Sequence, residues 1–194
     1  MRLCLLTLPL LLILSRCSRE LIGQSVQPGI IEGQTFRTTL LIDGHDYDGT
    51  ILRNCRFENI SGDGLQIRDV DNLRIEDCEF TTITGDAIRF RNSGSSDGTR
   101  ITYNVIHDIG ENGILAPEHH TNAVIRKNRI YDVATDPTAS RFGKPHHGIY
   151  WQGPNVTIAE NVIYHVRNNG GNDISIRTYG TIARNRLSRA ADHA

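Results

Sequence analysis

Apolar and polar positions alternate along this chain in a block that returns about every 24 residues. Seven segments align: IEGQTF from Ile31, LRNCRF from Leu52, IEDCEF from Ile75, ITYNVI from Ile101, IRKNRI from Ile125, IAENVI from Ile158 and IARNRL from Ile182. Their first residue is apolar, and so is their sixth: Phe36, Phe57, Phe80, Ile106, Ile130, Ile163 and Leu187. Another apolar residue follows three positions on, at Ile60, Ile83, Ile109, Val133 and Val166. After a turn rich in Gly and Asp comes a second alternating strand, at Gly64–Ile67, Ala87–Phe90, Gly113–Ala116, Gly148–Trp151 and Asp173–Ile176. The period is two, the spacing of a strand, and the repeats contain no helical period. One unit cannot bury its apolar side alone. Stacked units can, each strand pairing in parallel with its counterpart about 4.8 Å away in the next coil. The pattern therefore predicts an all-β fold, a single-stranded parallel β-helix of about six turns.

The fourth position of each segment is small or an amide: Gln34, Cys55, Cys78, Asn104, Asn128, Asn161, Asn185. A buried turn in every coil leaves backbone groups in need of partners, and a column of Asn side chains can supply them. Cys55 and Cys78 fit the same slot as buried thiols. Side chains in register along a ladder point the same way, which is poor geometry for a disulfide.

These repeats, with the segments ISGDGLQI, IHDIGENGIL and HHGIYWQGPNVTIAENVIYHV, resemble the right-handed parallel β-helix of the pectate-lyase-like superfamily. The resemblance runs from Ile31 to the end. It implies a right-handed coil and a link to polysaccharides, in a superfamily that holds lyases, hydrolases, epimerases, tailspikes and adhesins. Fold does not fix which.

Met1-Arg2 and the apolar run Leu3–Leu14 read as a secretory signal over residues 1–17, too short to span a bilayer. Leu14-Ser15-Arg16-Cys17 approaches a lipoprotein box but carries an Arg before the Cys. Residues 18–30 are expected to cap the coil and residues 31–194 to form it, ending in mid-turn as a truncated coil would. The expected location is secreted or periplasmic, with no stable membrane insertion. A formal net charge of −1 gives no bulk attraction to nucleic acid. Segment spacings are 21, 23, 26, 24, 33 and 24. Ser93–Gly98 reads as a flexible outward loop. The longest spacing holds an insertion, Asp136–Pro145, before His146-His147, and insertions on one face of a solenoid mark its binding side.

Registering the repeats sets Gln66, Arg68, Arg89, Arg91, Tyr150, Gln152 and Arg177 on the outer face of the second strands. Arg forks match carboxylates, and a Tyr ring can cover a sugar. The stripe is either a groove for an acidic polysaccharide, with Arg68, Arg91, Tyr150, Gln152 and Arg177 binding it, or a solvated strand face. Trp151 shares a column with Ile67, Phe90, Ala116 and Ile176 and is expected in the core. A turn column holds Asp63, Asp86, Asn112, His147 and Asn172, with Glu111, His146 and Asp173 beside it. Asp63 and Asp86 either bond the backbone as turn formers or hold a hard cation such as calcium. His147, at the foot of the insertion, suits proton transfer. His119 and His120 could face the same loop.

His147-Gly148 is similar to the His-Gly of polygalacturonases, but their other acidic motifs are absent. A lyase or epimerase needs only a base for the proton α to a carboxylate and a cation to hold the charge that develops. His147 or Arg89 would be the base, with Arg91 neutralising the uronate. The other reading is a non-catalytic glycan-binding surface module, or an inactive fragment of a longer β-helix protein.

Overall fold

The computed structural model describes residues 26–135, 145–167 and 171–188. The signal, the lipoprotein-like box, most of the cap, the insertion from Asp136 to Lys144 and the last six residues lie outside the described residues. The rest is a parallel β-solenoid of about six turns with a single 3-10 turn at His45–Tyr47. No helix among the described residues is long and apolar enough to cross a membrane.

Each coil carries three strands, one in each of three parallel sheets. The aligned six-residue segments are bent in the middle and contribute to two sheets. The corner is made by the residue before the fourth position, which takes a left-handed conformation in every coil: Gly33, Asn54, Asp77, Tyr103, Lys127, Glu160 and Arg184, with φ between 53° and 65°. Side chains larger than Gly tolerate this strain because the next residue is tied on both sides. Asn104 shows how. Its backbone N–H donates to Asn128 Oδ1 at 2.9 Å, while its side-chain amide donates to Ile75 O and to Asn128 Oδ1. Asn128, Asn161 and Asn185 continue the ladder. Cys78 and Cys55 hold the column as free, buried thiols.

The register follows the sequence columns. Ile31, Leu52, Ile75, Ile101, Ile125, Ile158 and Ile182 pair in succession. So do the sixth positions, where Phe36, Phe57 and Phe80 stack at 4.7 and 4.4 Å. Trp151 is fully buried and meets Phe90 edge-on at 5.2 Å.

Part of the expected outward loop is ordered as a strand. Ser96–Asp97 pairs in parallel with His120–Thr121. Ser96 is buried and its Oγ accepts the Val70 N–H. His120 turns into the body, against Phe90 at 4.9 Å, with Nε2 on Arg91 O.

Candidate functional site

The third sheet runs Leu40–Asp43, Leu65–Arg68, Ile88–Phe90, Ile114–Ala116, Ile149–Trp151 and Ile174–Ile176. Alternation puts one residue of each pair in the core and the next outside. The outer column therefore reads Leu41, Gln66, Arg89, Leu115, Tyr150, Ser175.

Before each of these strands the turn column forms a second polar ladder. Asp63 Oδ1 accepts the Asp86 N–H at 3.0 Å, and Asp86 Oδ1 accepts the Asn112 N–H at 2.9 Å. Asn112 Oδ1 accepts the His147 N–H at 2.7 Å, and His147 Nδ1 accepts the Asn172 N–H at 3.0 Å. A short polar side chain at this turn finishes the hydrogen bonding of the next coil, which is why Asp, Asn and His share the position.

Two hollows lie on the outer face, separated by Tyr150 and Gln152, which line both. The larger, about 510 Å³, has Arg89 and His146 on its wall, with Glu111, Asn112 and Glu118. The smaller, about 360 Å³, is formed by His147, Arg177 and Pro145 with the same two residues. The His147 ring lies on Tyr150 at 5.1 Å, and the Arg177 guanidinium is 5.5 Å from the Tyr150 ring centre. Gln152 Nε2 donates to the Tyr150 oxygen, leaving the phenolic proton free to act elsewhere.

His147, Tyr150, Gln152 and Arg177 are thus brought together, and Arg89 faces the neighbouring hollow. Arg68 and Arg91 are placed farther along. Arg68 forms a two-pronged pair with Asp43, and Arg91 donates to Gln66 Oε1. Asp63 and Asp86 sit beneath Arg89, whose Nη1 is 3.6 Å from Asp63 Oδ2 and 3.5 Å from Asp86 Oδ2. Gln66 Nε2 also donates to Asp63 Oδ2. With a guanidinium between them, the two carboxylates offer no open oxygen pair to a hard cation.

Burial, the adjacent His146 and the cationic Arg177 hold His147 below its ordinary range, so the ring is neutral at neutral pH. Because Nδ1 takes the Asn172 N–H, the proton of the neutral ring is on Nε2. In His146 it is likewise Nδ1 that faces a donor, Asn112 Nδ2 at 3.3 Å. Asp173 is pushed up to about 6 by burial. His146 was visible in the sequence only as a neighbour of the column. Its place opposite His147 follows from the alternation of adjacent residues across the strand end.

Residues 38–191 match a family model described as "Right handed beta helix region". Among curated proteins, none matches the sequence. Among solved structures, the chain is similar to the A-module of the Azotobacter vinelandii mannuronan C-5 epimerase AlgE4, with 18% identity and a TM-score of 0.53 over 76% of this chain and 40% of that one. It is also similar to a glycoside hydrolase, with 13% identity and a TM-score of 0.49 over 79% of this chain and 37% of that one. The chain therefore spans less than half the length of either.

Proposed function

The chain belongs to the family of right-handed β-helix regions, and we propose that it is exported to the periplasm or beyond and acts there on an acidic polysaccharide as a lyase or epimerase. The observation that carries this reading is the pair of hollows on one sheet face, parted by Tyr150 and Gln152, the larger with Arg89, His119 and His146 and the smaller with Arg177 and His147. The likeness to the epimerase module is one of fold. The charge pattern on this face is what points to a uronate polymer.

The chemistry requires removal of the proton α to the uronate carboxylate. Arg177 or Arg89 pairs with that carboxylate and lowers the cost of the charge that builds on it. We assign removal of the α proton to the Tyr150 oxygen, which lies beside Arg177, accepts from Gln152 Nε2 and passes its own hydroxyl proton to solvent in that step. The proton-transfer role expected for His147 changes with its geometry. With Nδ1 engaged by Asn172, its Nε2–H donates to the developing oxyanion. The electron pair left on the carbon then either expels the neighbouring glycosidic oxygen, which takes a proton from solvent and leaves an unsaturated end, or takes a proton from solvent on the other face, giving the epimer.

The same observation favours a second reading. Neither His146 nor His147 presents its Nδ1 lone pair to a ligand, as a glycan-binding module without catalysis would allow. The test is incubation of the mature chain with pectate, alginate and glycosaminoglycan, with and without calcium. Unsaturated ends are followed by absorbance and epimerisation by proton NMR. Turnover that is lost in Tyr150→Phe and in His147→Ala supports the enzyme. Binding that persists in both variants without turnover supports the module.

A further inference from the structure

We infer that Asp86 is a positioning residue for Arg89 and takes up a proton when Arg89 engages an acidic ligand. This rests on the reading above that an anionic polymer lies over Arg89.

The two carboxylates beneath Arg89 are not equivalent. Asp63 is satisfied at both oxygens, with the Asp86 N–H on Oδ1 and Gln66 Nε2 on Oδ2. Asp86 is fully buried, at 0% exposure. Its Oδ1 receives the Asn112 N–H and Asn112 Nδ2, at 2.9 and 2.8 Å. Its Oδ2 is buried with no hydrogen-bond partner. The nearest compensation is Arg89 Nη1 at 3.5 Å, beyond a good hydrogen bond and shared with Asp63. A buried carboxylate with half its acceptors unpaired depends on that shared charge.

Arg89 is in turn the exposed partner. Its side chain is 35% exposed and lines the larger hollow. The groups facing Asp86 come from every neighbouring coil. Asp63 and Gln66 lie on the coil before and Arg89 on its own. Glu111 and Asn112 lie on the next. His146 and His147 follow on the coil beyond, reached through Asn112. A ligand carboxylate at Arg89 makes one guanidinium serve three anions. The anion that gives up its charge is the one least hydrated and least hydrogen-bonded, which is Asp86. Burial and the adjacent Asp63 already push Asp86 up to about 7, so it is poised to accept that proton near neutrality.

The step balances simply. The ligand carboxylate pairs with Arg89, a proton from solvent joins Asp86 Oδ2, and the net charge beneath the hollow is restored.

The experiment is titration calorimetry of the full chain with oligomannuronate and oligogalacturonate, in two buffers of different ionisation heat, from about pH 6 to pH 8. Proton uptake should rise toward one per site as pH exceeds the Asp86 midpoint, with affinity falling up to about tenfold per pH unit there. Asp86→Asn keeps the Oδ1 acceptor, and its fold is checked by circular dichroism. It should bind with no proton uptake and a flat pH dependence, and Asp86→Glu should restore the uptake. Binding whose heat is independent of buffer in the unaltered chain overturns the coupling and leaves the polysaccharide reading intact. Absence of binding to either oligomer overturns both. Without ligand, an infrared difference spectrum of the chain against Asp86→Asn should show a protonated carboxyl at about pH 6, and a fully ionised group there also overturns the inference.

Discussion

Asn128 and Asn161 are joined twice through one atom. The Oδ1 of Asn161 accepts the Asn128 backbone N–H at 2.9 Å and the Asn128 side-chain amide at 3.0 Å. The other amide bond of Asn128 goes to Ile101 O. Asn128→Ala leaves the Asn104 N–H, the Asn104 amide and the Ile101 carbonyl short of partners in a buried column. At about 1–3 kcal/mol for each buried unsatisfied group, a loss of about 3–5 kcal/mol is expected in urea unfolding. Asn185→Ala, in a half-buried position near the end of the described coil, should cost about 1 kcal/mol by the same measurement. Equal losses at both sites would show that the ladder is not what holds the corner.

Cys78 occupies an Asn position with a poorer set of bonds. The Cys55 N–H reaches its sulfur at 3.4 Å, and its thiol lies 3.6 Å from Leu52 O. The Asn rungs make the equivalent bonds at 2.9 Å. Because the column already accommodates four amides in the same backbone, Cys78→Asn should raise stability by about 1 kcal/mol. Cys78→Ala should lower it. Denaturant midpoints of the two variants give the comparison, and destabilisation by both would mean the aromatic stack beside Cys78 leaves no room for the amide.

Much of this architecture could be read in the sequence because each structural column is also a sequence column. The Ile and Phe positions pair as the repeats align, and Trp151 falls in the core because its column partners are apolar. What could not be read was the bend in each six-residue segment. Its corner residue has no type of its own, being Gly, Asn, Asp, Tyr, Lys, Glu or Arg, since the conformation is held by the hydrogen bonds of the residue that follows. The outer stripe was legible as a set of positions, but not as partners. Nothing in the order of residues shows that Arg68 is taken by Asp43 and Arg91 by Gln66 while Arg177 lies against Tyr150. The tautomer of His147 depends on the Asn172 N–H, which only three-dimensional register brings to it.

Trp151 ties the core to the candidate site, since Tyr150 precedes it on the strand Ile149–Trp151 and Gln152 follows at the strand's end. It is fully buried, and its indole N–H has no partner. Trp151→Ala should cost about 3–5 kcal/mol, as large aromatic truncations do. Trp151→Phe should cost less, because it removes volume and an unpaired donor together. The sole Trp makes the measurement direct, with blue-shifted emission in the folded chain that moves red on unfolding.

His147 predicts an acid limit to activity. Protonation at Nδ1 would expel the Asn172 N–H, and burial, His146 and Arg177 all oppose it. The neutral ring therefore persists below the ordinary histidine range, and activity should fall only at pH values under about 6.5. Arg177→Gln removes one opposing charge, so the midpoint of its residual pH–rate profile should move up. An unchanged midpoint would mean that His147 is not the group being titrated.

Asp86 gives the pH dependence of stability itself. Its carboxyl rises from 3.8 to about 7, through burial first and Asp63 second. Between those values the folded chain holds a proton that the unfolded chain releases. The stabilisation is complete below about pH 4 and is lost as pH rises through about 7. Each unit is worth about 1.4 kcal/mol, so the full swing is about 4 kcal/mol. The depressed histidines His147 and His120 act in the opposite direction, gaining stability as pH rises toward 6.5, so the unaltered chain alone shows a flattened curve. The difference between it and Asp86→Asn isolates the carboxyl. Asp86→Asn should be close to neutral at about pH 4 and progressively more stable than the unaltered chain toward pH 8. Thermal midpoints of both proteins across that range measure it, and a constant difference would mean that Asp86 ionises as an ordinary surface carboxylate.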